Sequence, residues 1–321
     1  MEEYILTVTS LKTYIYTYRR VVRAVDNVDF KIRRGESVGI VGESGCGKTM
    51  TALSILRFIP PVARILGGKV LFEGTNLVEL PAEKLREIRG RKIAMVFQDP
   101  MTYLNPVMNI GDQIGEALVK HQKMSKKEAR RKAVEGLSIV KIASPSDVSK
   151  QYPHQLSGGM RQRALIAMAI SCSPSLLIAD EPTTALDVTV QAQIIELLKD
   201  IKEKLELSLL LITHDLGIVA HLCDRLYVMY AGKFVEEGDI FSVFRQSKHP
   251  YTSGLIESVL YMDKPGDMIG FIDGSVPDLS NTLTGCRFHP RCQHSMPLCR
   301  EQEPPNIEMS ANQRVSCWLY K

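Results

Sequence analysis

What the chain has little of narrows the reading first. It carries almost no excess charge: 40 Lys and Arg against 36 Asp and Glu leave +4 over 321 residues, too little to argue for a nucleic-acid surface. It has no long apolar run. The longest uncharged stretch, Ala164 to Ala179, is broken by Ser171-Cys172-Ser173-Pro174-Ser175, and it falls short of the roughly 18–20 apolar residues that cross a bilayer. Met1-Glu2-Glu3-Tyr4 shows neither the basic start nor the apolar core of an export signal. Internal repeats and low-complexity tracts are missing as well. These absences argue against an integral membrane protein, a secreted disulfide scaffold and a disordered tail protein. With 45% hydrophobic and 24% charged residues, the chain has the balance of a globular protein with a sizeable core. A cytoplasmic enzyme of one large or two modest domains is the expectation.

Alternation of apolar with polar residues through Tyr4–Thr9, Tyr14–Tyr18 and Val28–Ile32 predicts antiparallel strands at a sheet edge. Ser37–Val41 predicts a short apolar strand, with a helix over Met50–Phe58 behind a glycine-rich loop. Further strands fall within 69–98 around a charged helical stretch, Ala82–Arg91, and the pattern is helical from Asp99 to about Gln155. There, Ser125-Lys126-Lys127-Glu128 has the spacing of a capping box. Leu176–Ala179 and Leu209–Thr213 read as parallel strands separated by a helix over Val190–Leu205. Near Gly238 the α/β rhythm stops, leaving a short helix, Tyr251–Tyr261, and a tail of low regularity.

Gly42-Glu43-Ser44-Gly45-Cys46-Gly47-Lys48-Thr49 matches G-x-x-x-x-G-K-[ST] and lies between the predicted strand and helix, where that motif cradles phosphate. The glycines let backbone N–H groups turn towards phosphate oxygens, and the helix start adds its positive dipole. Lys48 is expected on the β- and γ-phosphates and the Thr49 hydroxyl on Mg²⁺. Leu176-Leu177-Ile178-Ala179-Asp180-Glu181 is an apolar strand ending in two carboxylates. Asp180 fits a Mg²⁺ ligand and Glu181 a general base for the attacking water. On its own, that acidic end reads equally as a cap for the next segment; the phosphate loop tips the balance.

Leu156-Ser157-Gly158-Gly159-Met160-Arg161-Gln162 begins 114 residues after the start of the loop and 20 before the strand at Leu176. Here the sequence resembles the nucleotide-binding subunits of ABC transporters, whose signature is L-S-G-G-x-x-Q. Ser157 is a natural N-cap, and Gly158 and Gly159 expose N–H groups at a helix start. The resemblance implies that this segment, through Gln162, meets the γ-phosphate held by a second subunit. It also implies that Gln98 senses Mg²⁺ and water, that Asp187 in Ala185-Leu186-Asp187 communicates across the dimer, and that His214 contacts the γ-phosphate. For adenine stacking, the spacing to Gly42 favours Tyr18 or Arg19, with ordinary cross-strand tyrosines an equal alternative. Three further stretches narrow the resemblance to oligopeptide/dipeptide importer ATPases: Gln98-Asp99-Pro100 through Leu104-Asn105-Pro106, His249-Pro250-Tyr251-Thr252, and the tail from Gly285-Cys286 to Cys317. The implied fold is an α/β P-loop NTPase core of ABC type. It has an antiparallel β subdomain, a helical subdomain at about 99–155 and a small irregular C-terminal extension, with the nucleotide-binding domain over 1–240 and the extension over 241–321.

Four of the seven cysteines, Cys286, Cys292, Cys299 and Cys317, fall in the last 36 residues. In a reducing compartment such a cluster points to a metal rather than to disulfides. Their spacings of five, six and seventeen intervening residues lack the paired knuckles of structural zinc sites, which leans towards a [4Fe–4S] cluster with zinc as the alternative. The resemblance implies the same cluster, and four reduced thiols in a small core are the plain reading beside it. The resemblance further implies ATP and Mg²⁺, a second ATPase subunit, two transmembrane permease subunits fed by an external solute-binding protein, no nucleic acid, and a peripheral place on the cytoplasmic face of the membrane. The transported solute could be peptide, oligosaccharide or nickel, and a soluble non-transport ATPase of the same superfamily is the competing class. ATP binding at Lys48 is expected to survive loss of the cluster, because the phosphate loop belongs to the first domain's own core.

Overall fold

The computed structural model describes residues 3–184, 186–260, 272–280 and 284–321. Ala185 of the expected Ala185–Asp187 segment, and Tyr261 at the end of the last expected helix, lie outside them. The chain divides into two compact units, one of Met1–Arg33, Ser37–Val78 and Leu211–Lys321, the other of Arg34–Glu36 and Glu79–Leu210.

In the first unit, β1 (Tyr4–Tyr16) pairs antiparallel with β2 (Val21–Arg33). The sequence splits β1 into two stretches. The structure joins them through register shifts around Ser10, whose φ is +48°; a bulge lets one strand keep pairing across a residue that does not fit the alternation. β3 (Ser37–Val41) follows, buried along its whole length as a strand covered on both faces must be. Behind the glycine loop comes α1 (Lys48–Ile55). β4 (Ala63–Phe72) and the short β5 (Thr75–Asn76) complete a four-stranded antiparallel sheet in the order β2-β1-β4-β5.

The second unit holds α2 (Ala82–Ile88), β6 (Ile93–Val96), α3 (Pro100–Tyr103), α4 (Ile110–Gln122), α5 (Lys126–Ile139), α6 (Pro145–Val148) and α7 (Gly158–Ile170). The Ser125–Glu128 capping box is present, with each side chain bonded to the other's backbone N–H at the start of α5. β7 (Leu176–Asp180), fully buried, pairs parallel with β6 in a straight one-to-one register. α8 (Val188–Leu205) buries Ile194, Ile195, Leu197, Leu198 and Ile201, an i, i+3, i+4, i+7 stripe that makes one helix face.

The chain returns to the first unit within β8 (Ser208–Thr213). There α9 (Leu216–Leu222), β9 (Arg225–Tyr230), β10 (Lys233–Asp239), α10 (Ile240–Arg245) and α11 (Pro250–Leu260) follow. β9 pairs parallel with β3 and antiparallel with β10. The tail is more regular than its sequence suggests: α12 (Pro297–Glu301) precedes a hairpin of β11 (Asn306–Ser310) and β12 (Gln313–Ser316), and β12 hydrogen-bonds to β10. β11 shows mostly exposed residues, so its apolar alternation is weak and the sequence pattern is correspondingly silent. No helix among the described residues is long and apolar enough to cross a membrane.

Candidate nucleotide site

The phosphate loop is shaped by two close approaches. A side chain on Gly42 (φ +153°) would put its Cβ 2.1 Å from the Met229 carbonyl oxygen, and one on Gly47 (φ +109°) would sit 2.0 Å from that of Ala24. Only glycine fits either place. Lys48 is 5% exposed, and its Nζ donates to the carbonyl oxygens of Gly42 at 2.7 Å and Glu43 at 3.0 Å. The ammonium is thus folded back into the loop. Burial pushes the Cys46 thiol up, which keeps it an apolar filler under the loop rather than a thiolate. Ser44, Gly45 and Thr49 are exposed at the surface.

The loop is in direct contact with the tail. Arg291 grips Glu43 with two parallel bonds, Nη1 to Oε2 at 2.6 Å and Nη2 to Oε1 at 2.9 Å. The backbone N–H of Glu43 donates to the Tyr251 hydroxyl at 2.9 Å, and burial holds that phenol in its protonated form. One turn earlier in the tail, Arg287 bonds Asp26 and the Ala231 carbonyl. Burial alone would raise the Asp26 carboxyl, but the Tyr14 hydroxyl and the Arg287 guanidinium outweigh it and hold the pKa below its usual value. The Tyr251–Glu43, Arg287–Asp26 and Arg291–Glu43 contacts join residues more than 200 positions apart. The arginines sit inside the Cys286–Cys292 segment, where the cysteines draw a sequence reader's attention away from them.

The expected adenine-stacking residues separate. Tyr18 lies beyond the end of β1 and is 99% exposed. Arg19 instead lines an open cavity of about 560 Å³ with Tyr14, Tyr16, Arg20 and Arg23. Tyr14 and Tyr16 carry the guanidinium groups of Arg23 and Arg64 over their rings. His214 follows β8 at an exposed position, and the Asp215 after it caps α9 by accepting from Gly217 and Ile218.

In the second unit the two carboxylates differ sharply. Asp180 is buried at the end of β7. Glu181 turns off the strand with φ +45°, a strained conformation for a residue with a side chain, and such strain concentrates at working sites. Its Oε2 accepts from Gln98 Nε2 at 3.0 Å and from Thr184 Oγ1 at 2.9 Å. The structure therefore brings Gln98 and Glu181 together, and adds Thr184, which the sequence reading missed.

Ser157 caps α7 by accepting from the Met160 N–H. Gly159 has a second reason to be glycine, because a Cβ there would lie 2.7 Å from Val190 Cγ1 at the start of α8. Gln162 is 1% exposed with its Nε2 unpartnered. Asp187 caps α8, accepting from the Val190 N–H at 2.9 Å.

All four tail cysteines are free thiols, and Cys299 and Cys317 are buried. The Cys286 pKa is pushed up to about 11, first by burial and further by the nearby sulfurs of Cys299, Cys317 and Cys292. The four soft donors therefore lie within electrostatic reach of one another. Among the described residues, no three Cys, His, Asp or Glu side chains are placed to share one metal ion. Four thiols are the donor chemistry of either a [4Fe–4S] cluster or zinc, and their placement does not separate the two.

Residues 25–184 match the family description "ABC transporter", and residues 235–299 match "Oligopeptide/dipeptide transporter, C-terminal region". The chain is 50% identical to the dipeptide transport ATP-binding protein DppD of Bacillus subtilis (strain 168), covering 99% of this chain and 95% of that protein. It is 49% identical to the probable peptide ABC transporter ATP-binding protein y4tR of Sinorhizobium fredii, over 98% of this chain and 94% of that one. Among solved structures it is similar to a post-hydrolysis dimer of the ATP-binding cassette MJ0796 bound to ADP and Pi. That likeness has a TM-score of 0.66 at 27% identity and covers 73% of this chain and 98% of that chain.

Proposed function

The chain belongs to the ABC transporter family as an ATP-hydrolysing subunit of an importer, and we propose that its cargo is small peptides. The observation that carries this reading is the match of residues 235–299, outside the cassette shared across the family, to the oligopeptide/dipeptide C-terminal region. Relatives named for dipeptide and oligopeptide transport support it.

In this reading Lys48 and the loop N–H groups bind the β- and γ-phosphates. Thr49, Asp180 and Gln98 offer the oxygen donors that would hold Mg²⁺, a hard cation, which would supply charge neutralisation at the transferred phosphoryl group. Glu181 polarises the attacking water and Gln98 holds its carboxylate. His214 contacts the γ-phosphate, and Tyr18 or Arg19 the base. Ser157, Gly158, Gly159 and Gln162 complete the site of a second ATPase subunit, with Asp187 at that interface. Closure of two subunits around two ATP molecules drives two membrane permeases fed by an external binding protein, from the cytoplasmic face. Cys286, Cys292, Cys299 and Cys317 would hold a [4Fe–4S] cluster, or zinc in its place, that orders the tail, a reading supported by four free thiols within the last 36 residues.

Deleting the gene in its native cells should abolish uptake of a labelled dipeptide. The wild-type chain should restore uptake and Lys48→Ala should not. Unimpaired peptide uptake alongside lost nickel or oligosaccharide uptake would reassign the cargo. Co-purification with ribosomes or DNA rather than membrane proteins would favour the soluble class of ATPase.

A further inference from the structure

Glu43 is an awkward residue for its position. It is the second residue of a loop built to receive a polyanion, and a carboxylate there repels phosphate. Each of its polar groups is nevertheless held. Its carbonyl accepts from Lys48 Nζ at 3.0 Å, its N–H is on the Tyr251 hydroxyl, and its carboxylate is matched by the two-pronged guanidinium of Arg291. Two of these three come from beyond residue 250.

Arg291 is committed to the task. Its side chain is 6% exposed against 28% for Glu43. Its remaining donors are taken by the Asp273, Ile272 and Gly274 carbonyl oxygens and by the Tyr230 hydroxyl. The Tyr230 and Phe288 rings flank it at 5.8 and 6.0 Å. A planar fork fixed on every side holds a carboxylate in one orientation, which a flexible ammonium cannot do.

We propose that Arg291 is a positioning residue of the nucleotide site: by neutralising and orienting Glu43, the C-terminal extension sets the affinity of the phosphate loop for a nucleoside triphosphate. The proposal rests on the reading of Gly42–Thr49 as the phosphate site. It predicts a coupling that a mere latch between tail and core does not. When Arg291 is removed, the stranded carboxylate of Glu43 weakens triphosphate binding. When that carboxylate is removed as well, the penalty disappears.

The experiment uses the full chain and titrates a non-hydrolysable ATP analogue with Mg²⁺ against wild type, Arg291→Met, Glu43→Gln and the double variant. Arg291→Met should raise Kd about tenfold or more, and in ATPase assays it should raise KM by far more than it lowers kcat. Glu43→Gln alone should tighten binding about twofold. The double variant should bind within about threefold of wild type. Arg291→Lys, which keeps the charge and loses the fork, should fall between wild type and Arg291→Met and guards against misfolding of the methionine variant. Equal Kd for Arg291→Met and the double variant would overturn the proposal, as would wild-type affinity in Arg291→Met. If instead wild type and Lys48→Ala bind the analogue equally, the phosphate-site reading itself fails and takes this one with it.

Discussion

In the proposed site Glu181 and Lys48 have different roles, and single substitutions should separate them. Glu181 sits at φ +45° with Gln98 and Thr184 both donating to Oε2, an arrangement that aims a carboxylate rather than packs one. Lys48 donates to loop carbonyls, and its proposed part is to contribute charge for phosphate. Glu181→Gln should lower turnover by about 10²–10⁴-fold, the usual span for removing a general base, while ATP still binds. Lys48→Ala should lose ATP affinity itself. Titration showing the same loss of binding in both variants would reject the division of labour. At this scale the sequence was legible wherever residue type and spacing carry the chemistry, as in the loop and in the carboxylates after Leu176–Ala179. It was illegible for Arg291, Arg287 and Thr184, whose meaning depends on partners that only folding brings near. Arginine four residues from arginine, between two cysteines, has no periodic signature of its own.

The elements show the same division. The capping box of α5 was visible because it is local, three residues apart and self-contained. The length of β1 was not, because its bulge is set by pairing with β2 and β4. The start of α11 hides a further device. His249 is 1% exposed, its Nδ1 accepts from the Tyr251 N–H, and its own N–H donates to Glu236. Burial lowers its pKa to about 3. The sign of the pH effect follows. The unfolded chain takes up a proton near pH 6.5, the folded imidazole holds out until about pH 3, and protons therefore favour unfolding throughout that window. The stability this group permits is complete above pH 6.5 and falls as pH drops, by at most about 1.4 kcal/mol per pH unit. His249→Asn keeps an acceptor for the helix start without a titrating group. Urea unfolding at pH 7 and pH 5 should show a drop smaller by about 2 kcal/mol in this variant. Parallel slopes in the two proteins would mean that His249 titrates normally.

At the scale of the whole molecule, the signature segment poses a question that one chain cannot answer alone. Ser157 caps α7 and Gly159 is required by Val190, so the cap and one glycine have local explanations. The buried, unpartnered Nε2 of Gln162 does not, since a buried polar group without a partner costs about 1–3 kcal/mol. A role in a neighbouring subunit's nucleotide site gives the segment a purpose beyond its own helix. The similar cassette is a dimer in its post-hydrolysis state. If the active form here is a head-to-tail dimer, ATPase rate should rise faster than linearly with protein concentration at high dilution, because dimer concentration grows as the square of the monomer's. A mixing experiment tests the geometry itself. Lys48→Ala chains lack the loop cation and Ser157→Arg chains lack the signature serine, so each alone should be inactive. A mixed head-to-tail dimer has one site missing both residues and one site missing neither. The mixture should recover activity, approaching a quarter of wild type if pairing is random and the two sites fire independently. No recovery under conditions where the mixed dimer is shown to form, or a strictly linear rate down to dilutions where the chain sediments as a monomer, would rule the arrangement out.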